Sequence, residues 1–301
     1  MDMVKDYDVE GLEIGKLIGQ MRLVGFQATH LADGVEIVRR MKKEKATIFL
    51  TFTANMAASG LRSLFARLCE KKLVHAIITT GGAIEHDFIR SFRPYLLGDF
   101  NMDDAQLHKK SMNRIGNIIV PTERYVFLEK KIQLLFARMY KQKKAISPSD
   151  IALELGRMSK DKNSFLYWAA KNNIPVFSPG ITDSAIGLQS YFFKQDHKDF
   201  VIDVTGDMKS LADIVLTAKK TGGIILGGGI SKHHALGANL MRGGLDYAVY
   251  VTTSQPWDGS LSGARTNEAI SWGKIKGKRR SHVTIDGDAT IIFPLLISEF
   301  L

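Results

Sequence analysis

Apolar, β-rich runs recur along this 301-residue chain, and most end in a cluster of small residues. Ala46 to Phe52 leads into Thr53-Ala-Asn-Met-Ala-Ala-Ser-Gly60, and Val74 to Ile78 leads into Thr79-Thr-Gly-Gly-Ala83. Ile174 to Phe177 precedes Ser178-Pro-Gly-Ile-Thr-Asp183, and Phe200 to Val204 precedes Thr205-Gly-Asp207. Ile224 to Leu226 runs into Gly227-Gly-Gly229, Tyr247 to Val251 into Thr252-Thr-Ser254, and Ala289 to Leu296 is a last apolar run. Continuous apolar runs of this length suit strands buried on both faces of a parallel sheet. Helical patterns lie between them. Leu61 to Lys71 follows Ser59-Gly60, and Asp207 to Lys220 reads as a helix with Asp207 as N-cap and Gly222 just past its end. Gly25 to Lys45 and Glu123 to Lys144 read as further helices. The alternation predicts a doubly wound, mostly parallel α/β fold with helical additions, whose ligands sit at the carboxyl ends of the strands. No Pro/Ser-rich linker or internal repeat divides the chain, which predicts one domain over 1–301. Residues 1–45 form its arm and first helix, and 46–301 its core.

The composition, 45% hydrophobic and 24% charged, is that of a globular protein. The net charge of +10 is concentrated in Lys42-Lys43-Glu44-Lys45, Lys141 to Lys144 and Lys274 to Arg280. Aromatic residues are not interleaved with these clusters and no nucleic-acid-binding signature accompanies them, so they read as solvated basic surface without a direct nucleic-acid partner. The single cysteine, Cys69, allows neither an intrachain disulfide nor a Cys-based metal site, which fits a reducing, cytoplasmic setting. The N-terminus lacks the apolar stretch of a secretory signal, and no apolar run has the length of a membrane span.

Three turns place glycine after a strand: Thr79-Thr-Gly-Gly82, Gly227-Gly-Gly229 and the Ser178 to Asp183 segment. Thr252-Thr-Ser254 is a fourth turn of small residues. Glycine lets backbone N–H groups approach a phosphate, and a following helix N-terminus adds favourable potential. Together the turns point to a nucleotide, although none matches Gly-x-Gly-x-x-Gly. The segment 258–275 carries a different chemistry, because Glu268, Trp272 and Lys274 fall within seven positions. A lysine beside an aromatic wall loses hydration, which favours the neutral amine that imine chemistry needs. Lys232-His233-His234 follows the triple glycine. His233 reads either as a group that positions an amine or shuttles a proton, or as a histidine at a helix start. No third ligand completes a metal site there. Glu85-His86-Asp87 reads as a charged first turn of a helix. A serine nucleophile elbow and a glycosidase carboxylate pair are both missing.

Read together, Thr79-Thr-Gly-Gly82, Phe177-Ser-Pro-Gly-Ile-Thr-Asp183, Ile225-Leu-Gly-Gly-Gly-Ile-Ser-Lys-His-His234, Asn239-Leu-Met-Arg242 and Ser271-Trp-Gly-Lys-Ile275 resemble deoxyhypusine synthase. The resemblance extends from Tyr7-Asp8, through Gly25-Phe-Gln-Ala-Thr29 and Asn113-Arg-Ile-Gly-Asn117, to Phe293-Pro294, and suggests an archaeal or bacterial-type member. It implies a Rossmann-like NAD-binding fold and a two-stage alkyl transfer. NAD oxidises spermidine, the aminobutyl group is held as an imine on Lys274, and it passes to a lysine of the translation initiation factor 5A precursor. The resemblance also implies a homotetramer with active sites between subunits.

Carried over residue by residue, the resemblance implies cofactor contacts at Asn55, Thr80, Gly81, Gly82, His86, Asp183, Gly228, Thr253, Ser254, Asp288 and Ala289. It implies amine contacts at Glu85, His233, Gly259, Ser260, Glu268, Trp272 and Lys274, with Lys274, His233 and Glu268 catalytic and no metal. Leu188 and Leu261 stand where acids would hold a substrate amine, and His86 replaces an acid that touches cofactor and amine. A buried ammonium needs a carboxylate partner, which leucine cannot supply. The departures point toward agmatine, putrescine or a differently oriented spermidine. They also leave open a homospermidine synthase-like acceptor, or a non-catalytic NAD-binding relative.

Overall fold

The computed structural model describes residues 3–8, 10, 11 and 13–301. The chain forms two compact units. The first comprises Met1–Phe52, Leu73–Ile78 and Ser210–Leu301, and the second Thr53–Lys72 and Thr79–Lys209.

The first unit is built on strands β1 (Thr47–Phe52), β2 (Ala76–Thr79), β3 (Thr221–Leu226), β4 (Tyr247–Thr252) and β5 (His282–Asp286). They lie in the order β5-β4-β3-β1-β2, so every sequential pair except β1-β2, β3-β4 and β4-β5 is separated by another strand. The β1-β3, β3-β4 and β4-β5 pairs are parallel. Phe49, Leu50 and Phe52 of β1 and every residue of β3 and β4 are buried. Burying a large apolar side chain of this kind stabilises by about 1.5–3 kcal/mol, which is why these runs lack the alternation of a half-exposed strand. The helix Phe26–Lys43 packs on the sheet, where Gly34 leaves room for Ile285, Leu296 and Val249.

Two expectations for this part of the chain are corrected. The Ala289 to Leu296 run is a helix, Ala289–Ile297, because Asp288 caps it through a 2.6 Å bond from the Thr290 N–H. The strand at the sheet edge is His282–Asp286, whose mixed polar sequence gives no apolar run. Asp207 does not cap the helix that follows it. That helix spans Gly206–Thr217, Asp203 accepts from the Gly206 N–H, and the Asp207 carboxylate is bonded to Ser149. Gly222 lies inside β3 and ends no helix.

The second unit is mostly helical. Its helices include Arg62–Glu70, Gly81–Arg90, Glu123–Tyr140, Pro148–Met158, Phe165–Asn172 and Ala185–Asp196. Leu96–Leu97, Met112–Ile115 and Ile118–Pro121 form an antiparallel sheet. The Phe200 to Val204 run supplies only the short strand Val201–Ile202, paired with Ala145–Ile146 in a separate parallel ribbon. Glu85, His86 and Asp87 lie in the middle of the Gly81–Arg90 helix and are buried, so they are not an exposed first turn. Asp87 is clamped by Arg62 Nε at 2.5 Å and Ser164 Oγ at 2.5 Å, and by the Leu166 N–H at the start of Phe165–Asn172. Burial favours the protonated form of Asp87, and the Arg62 guanidinium opposes it.

Candidate active site

In the first unit the turns after β3, β4 and β5 bring Gly227–Gly229, Thr253–Ser254 and Gly287–Asp288 to the carboxyl edge of the sheet. A Cβ on Gly228 would run into Ser262, so the turn can close only around glycine. Ser262 Oγ accepts from the Gly229 N–H at 3.1 Å, and the helix Gly229–Leu240 departs from there. Ser254 N–H is bonded to Thr252 Oγ1 at 3.0 Å, which turns the chain after β4.

The loop between β4 and the helix Thr266–Ser271 walls a cavity of about 270 Å³. His233, Gly259, Leu261, Glu268, Trp272 and Lys274 line it together. Five of the expected amine contacts thus meet in one cavity together with Leu261, while Ser260 points its backbone N–H at Asp258 and does not line it. The backbone around Lys274 is fixed on both sides. Its N–H donates to Ala269, its carbonyl accepts from Leu245, and Lys276 N–H returns to Leu245. The Lys274 Nζ lies 5.2 Å from the centre of the Trp272 indole. The indole itself is 67% exposed, so within one chain it forms an open wall against which Lys274 is half-buried.

The most buried amine of this cavity is Lys232, only 1% exposed. Its Nζ donates to the carbonyls of Leu261 at 2.8 Å and Ala264 at 2.7 Å, and sits 4.4 Å over the Tyr250 ring. Burial pulls its pKa down to about 8, against the pull of Glu268. Arg265 is ion-paired with Asp286 at the end of β5, and Asp286 also meets Gln27. Sequence reasoning gave no role to Lys232, Tyr250 or Arg265. Only the small, β-bounded context of Tyr250 and the Lys-His-His triplet mark them in the sequence.

In the second unit, Thr80 precedes the helix Gly81–Arg90 in extended conformation, and its side chain does not cap it. Thr80 Oγ1 is buried without a hydrogen-bond partner among the described residues. Gly81 packs against Ser184, where a Cβ would collide. Glu85, 6% exposed, accepts from the Ala185 N–H at 2.8 Å and so caps the helix Ala185–Asp196 from the side. Burial lifts its pKa to about 7, against those backbone bonds. His86 Nδ1 meets the Tyr95 hydroxyl at 2.8 Å, and burial with Arg90 nearby lowers its pKa to about 4. Arg90 reaches the carbonyls of Ala57, Ala58 and Ser59, which anchors the short helix bearing the exposed Asn55. Asp183 is exposed, and Leu188 is 52% exposed.

A family-wide sequence model of deoxyhypusine synthase matches residues 16–300. The chain belongs to the deoxyhypusine synthase family. It is 44% identical to the "probable deoxyhypusine synthase" of Pyrococcus abyssi, over 96% of this chain and 91% of that one. With the "probable deoxyhypusine synthase" of Thermoplasma acidophilum the identity is 45%, over 96% and 93%. A crystal structure from Entamoeba histolytica that carries the same family name shares the fold. Its TM-score is 0.69 at 24% identity, over 98% of this chain and 96% of that one. Like the other members of the deoxyhypusine synthase family, this chain is a transferase. Among its described residues no helix is long and apolar enough to cross a membrane, and no three His, Cys, Asp or Glu are grouped to hold a metal.

Proposed function

We propose that this enzyme transfers an aminobutyl group from spermidine, through an imine on Lys274, to a lysine of the translation initiation factor 5A precursor, forming deoxyhypusine. The meeting of Lys274, Glu268, His233 and Trp272 in one cavity carries this reading. The Lys274 amine forms a bond to the reacting carbon as the bond to the departing 1,3-diaminopropane breaks. In the second stage the acceptor lysine takes the carbon and Lys274 is released. Glu268 pairs with the substrate ammonium, which offsets the cost of bringing charge out of water. His233, exposed at the cavity lip, takes up and returns the proton that each amine exchange moves. Trp272 presents an aromatic face to the cation.

NAD supplies the hydride acceptor and donor for this chemistry. The residues present fit it. Thr80 Oγ1 is a buried hydroxyl at a helix start with no hydrogen-bond partner among the described residues, and the space at the Gly229 Cβ position is open. In the first unit Gly228, Thr253, Ser254, Asp288 and Ala289 are the residues that would hold it, and in the second unit the candidates are Asn55, Thr80, Gly81, Gly82, His86 and Asp183. We place the enzyme in the cytoplasm as a homotetramer, with residues 1–301 working as one functional domain.

The test is Lys274→Arg, assayed with NAD, spermidine and the factor. NAD binding persists and transfer falls at least a thousandfold in this account; full transfer by the variant contradicts it. A second reading keeps the catalyst and changes the acceptor: the aminobutyl group passes to a small amine, putrescine, instead of a protein. Leu261 in the cavity wall and the exposed Leu188 favour it, because neither can pair with an ammonium. Incubation with spermidine, putrescine, agmatine and the factor together distinguishes the two. Homospermidine as the only product would favour the homospermidine synthase-like alternative.

A further inference from the structure

We propose that a second cavity in the first unit binds a sugar phosphate, with the phosphate held by Arg22, Arg40 and Arg280 and a sugar hydroxyl held by Asp33. The cavity measures about 320 Å³. Arg22 follows the helix Ile14–Met21, Asp33, Glu36 and Arg40 come from the helix Phe26–Lys43, and Arg280 and His282 come from the start of β5. None of the residues assigned above to the cofactor or the amine lines it. It lies at the amino end of β5, whereas the cofactor turns lie at the carboxyl ends of the strands.

The charges of this cavity are not cancelled within the chain. Glu36 is ion-paired with Arg39, which does not line the cavity. Arg40 donates to the Arg280 carbonyl at 2.8 Å and lies 5.1 Å from the centre of the Tyr247 ring. The Arg22 and Arg280 guanidiniums and the Asp33 carboxylate have neither a hydrogen bond nor an ion pair among the described residues. Three guanidiniums thus line this space against a single free carboxylate. A guanidinium fork matches the paired oxygens of a phosphate, and several together offset its double charge. A carboxylate only accepts, so Asp33 requires a donor on the same ligand, which a sugar hydroxyl supplies. His282 Nδ1 meets Thr266 Oγ1 at 3.1 Å, which leaves Nε2 as its remaining polar atom.

The turn that carries Arg280 is held in place. Arg280 stands at φ 59°, in the left-handed region that a side chain rarely adopts. Ser281 closes the turn onto the Lys278 carbonyl, with its N–H at 3.1 Å and its Oγ at 2.7 Å, and Arg40 grips the Arg280 carbonyl. Backbone strain of this kind persists where the surroundings fix it, and it gathers at ligand sites.

The test is calorimetric titration of the full chain with ribose 5-phosphate, in saturating NAD so that the cofactor turns are filled. Arg22→Gln and Arg280→Gln should each weaken binding about ten- to a hundredfold, the loss of a hydrogen bond between charged partners. Both variants should unfold at the wild-type temperature without ligand, since neither guanidinium has a partner to lose. Inorganic phosphate should bind the wild type about tenfold less tightly than ribose 5-phosphate, the loss of the hydroxyl contact, and Asp33→Ala should remove that difference. No binding at millimolar ribose 5-phosphate would overturn the proposal, as would equal affinity of the wild type and both arginine variants. Inorganic phosphate binding as tightly as the sugar phosphate would also overturn it.

Discussion

Lys232 donates a 2.8 Å hydrogen bond from its buried ammonium to the carbonyl oxygen of Leu261, so a charged side chain from the helix after β3 fixes the loop that precedes Lys274. Replacing it with methionine keeps the stem and leaves the Leu261 and Ala264 carbonyls without their donor. We predict that Lys232→Met lowers unfolding free energy by about 2–5 kcal/mol, measured by urea titration. The wild type should also show a pH signature. The folded-state pKa of about 8 lies below the ordinary 10.5, so between those values the unfolded chain holds a proton that the folded one has shed. Stability conferred by this residue rises as pH climbs through that window. The wild type minus Lys232→Met difference should grow from pH 8 to pH 10.

Glu85 gives the opposite slope. Its folded-state pKa of about 7 lies above the ordinary 4.5, so the folded chain binds the extra proton between them. Its contribution to stability falls as pH rises through that window. Glu85→Gln should remove that slope and leave the variant the more stable at pH 8, relative to wild type, than at pH 5. Parallel denaturant curves at the two pH values check it, and an unchanged difference contradicts it.

His86 should remain neutral across the physiological range. With its pKa lowered to about 4 from an ordinary 6.5, its ring proton resonance should not titrate between pH 5.5 and pH 8. Protonation on acidification should cost stability, because the unfolded chain takes up that proton first. An NMR midpoint near 6.5 would show that the ring is not shut away with Tyr95.

Gly228→Ala places a methyl group into Ser262. The turn after β3 must then shift, which breaks the Gly229 to Ser262 bond as well. We expect at least a tenfold loss of NAD affinity by fluorescence titration, with the parallel sheet intact by circular dichroism.

The parallel core was legible because β1, β3 and β4 are buried on both faces and therefore carry unbroken apolar runs. The same signal misled at Ala289 to Leu296, since an apolar run lacks the polar positions that separate period 2 from period 3.6. Only the Asp288 cap, one residue upstream, resolves it. Glu85-His86-Asp87 looked like a helix start because acids favour first turns. The helix begins earlier, after Thr80, where Gly81-Gly82 mutes the propensity signal. Lys274, Glu268 and His233 could be singled out from local spacing and family likeness. Lys232 could not be told from a surface lysine, since its burial depends on carbonyls about 30 positions away in the chain. Tyr250 was hidden too: an aromatic residue in a strand reads as core, and the sequence does not reveal that its hydroxyl lacks a partner among the described residues.

Mass spectrometry of the chain after incubation with NAD and spermidine, followed by borohydride reduction, tests the central assignment most directly. A reduced aminobutyl adduct on Lys274, and on no other lysine, is the predicted result. An adduct on Lys232 instead, or none on any lysine while transfer proceeds, would contradict it.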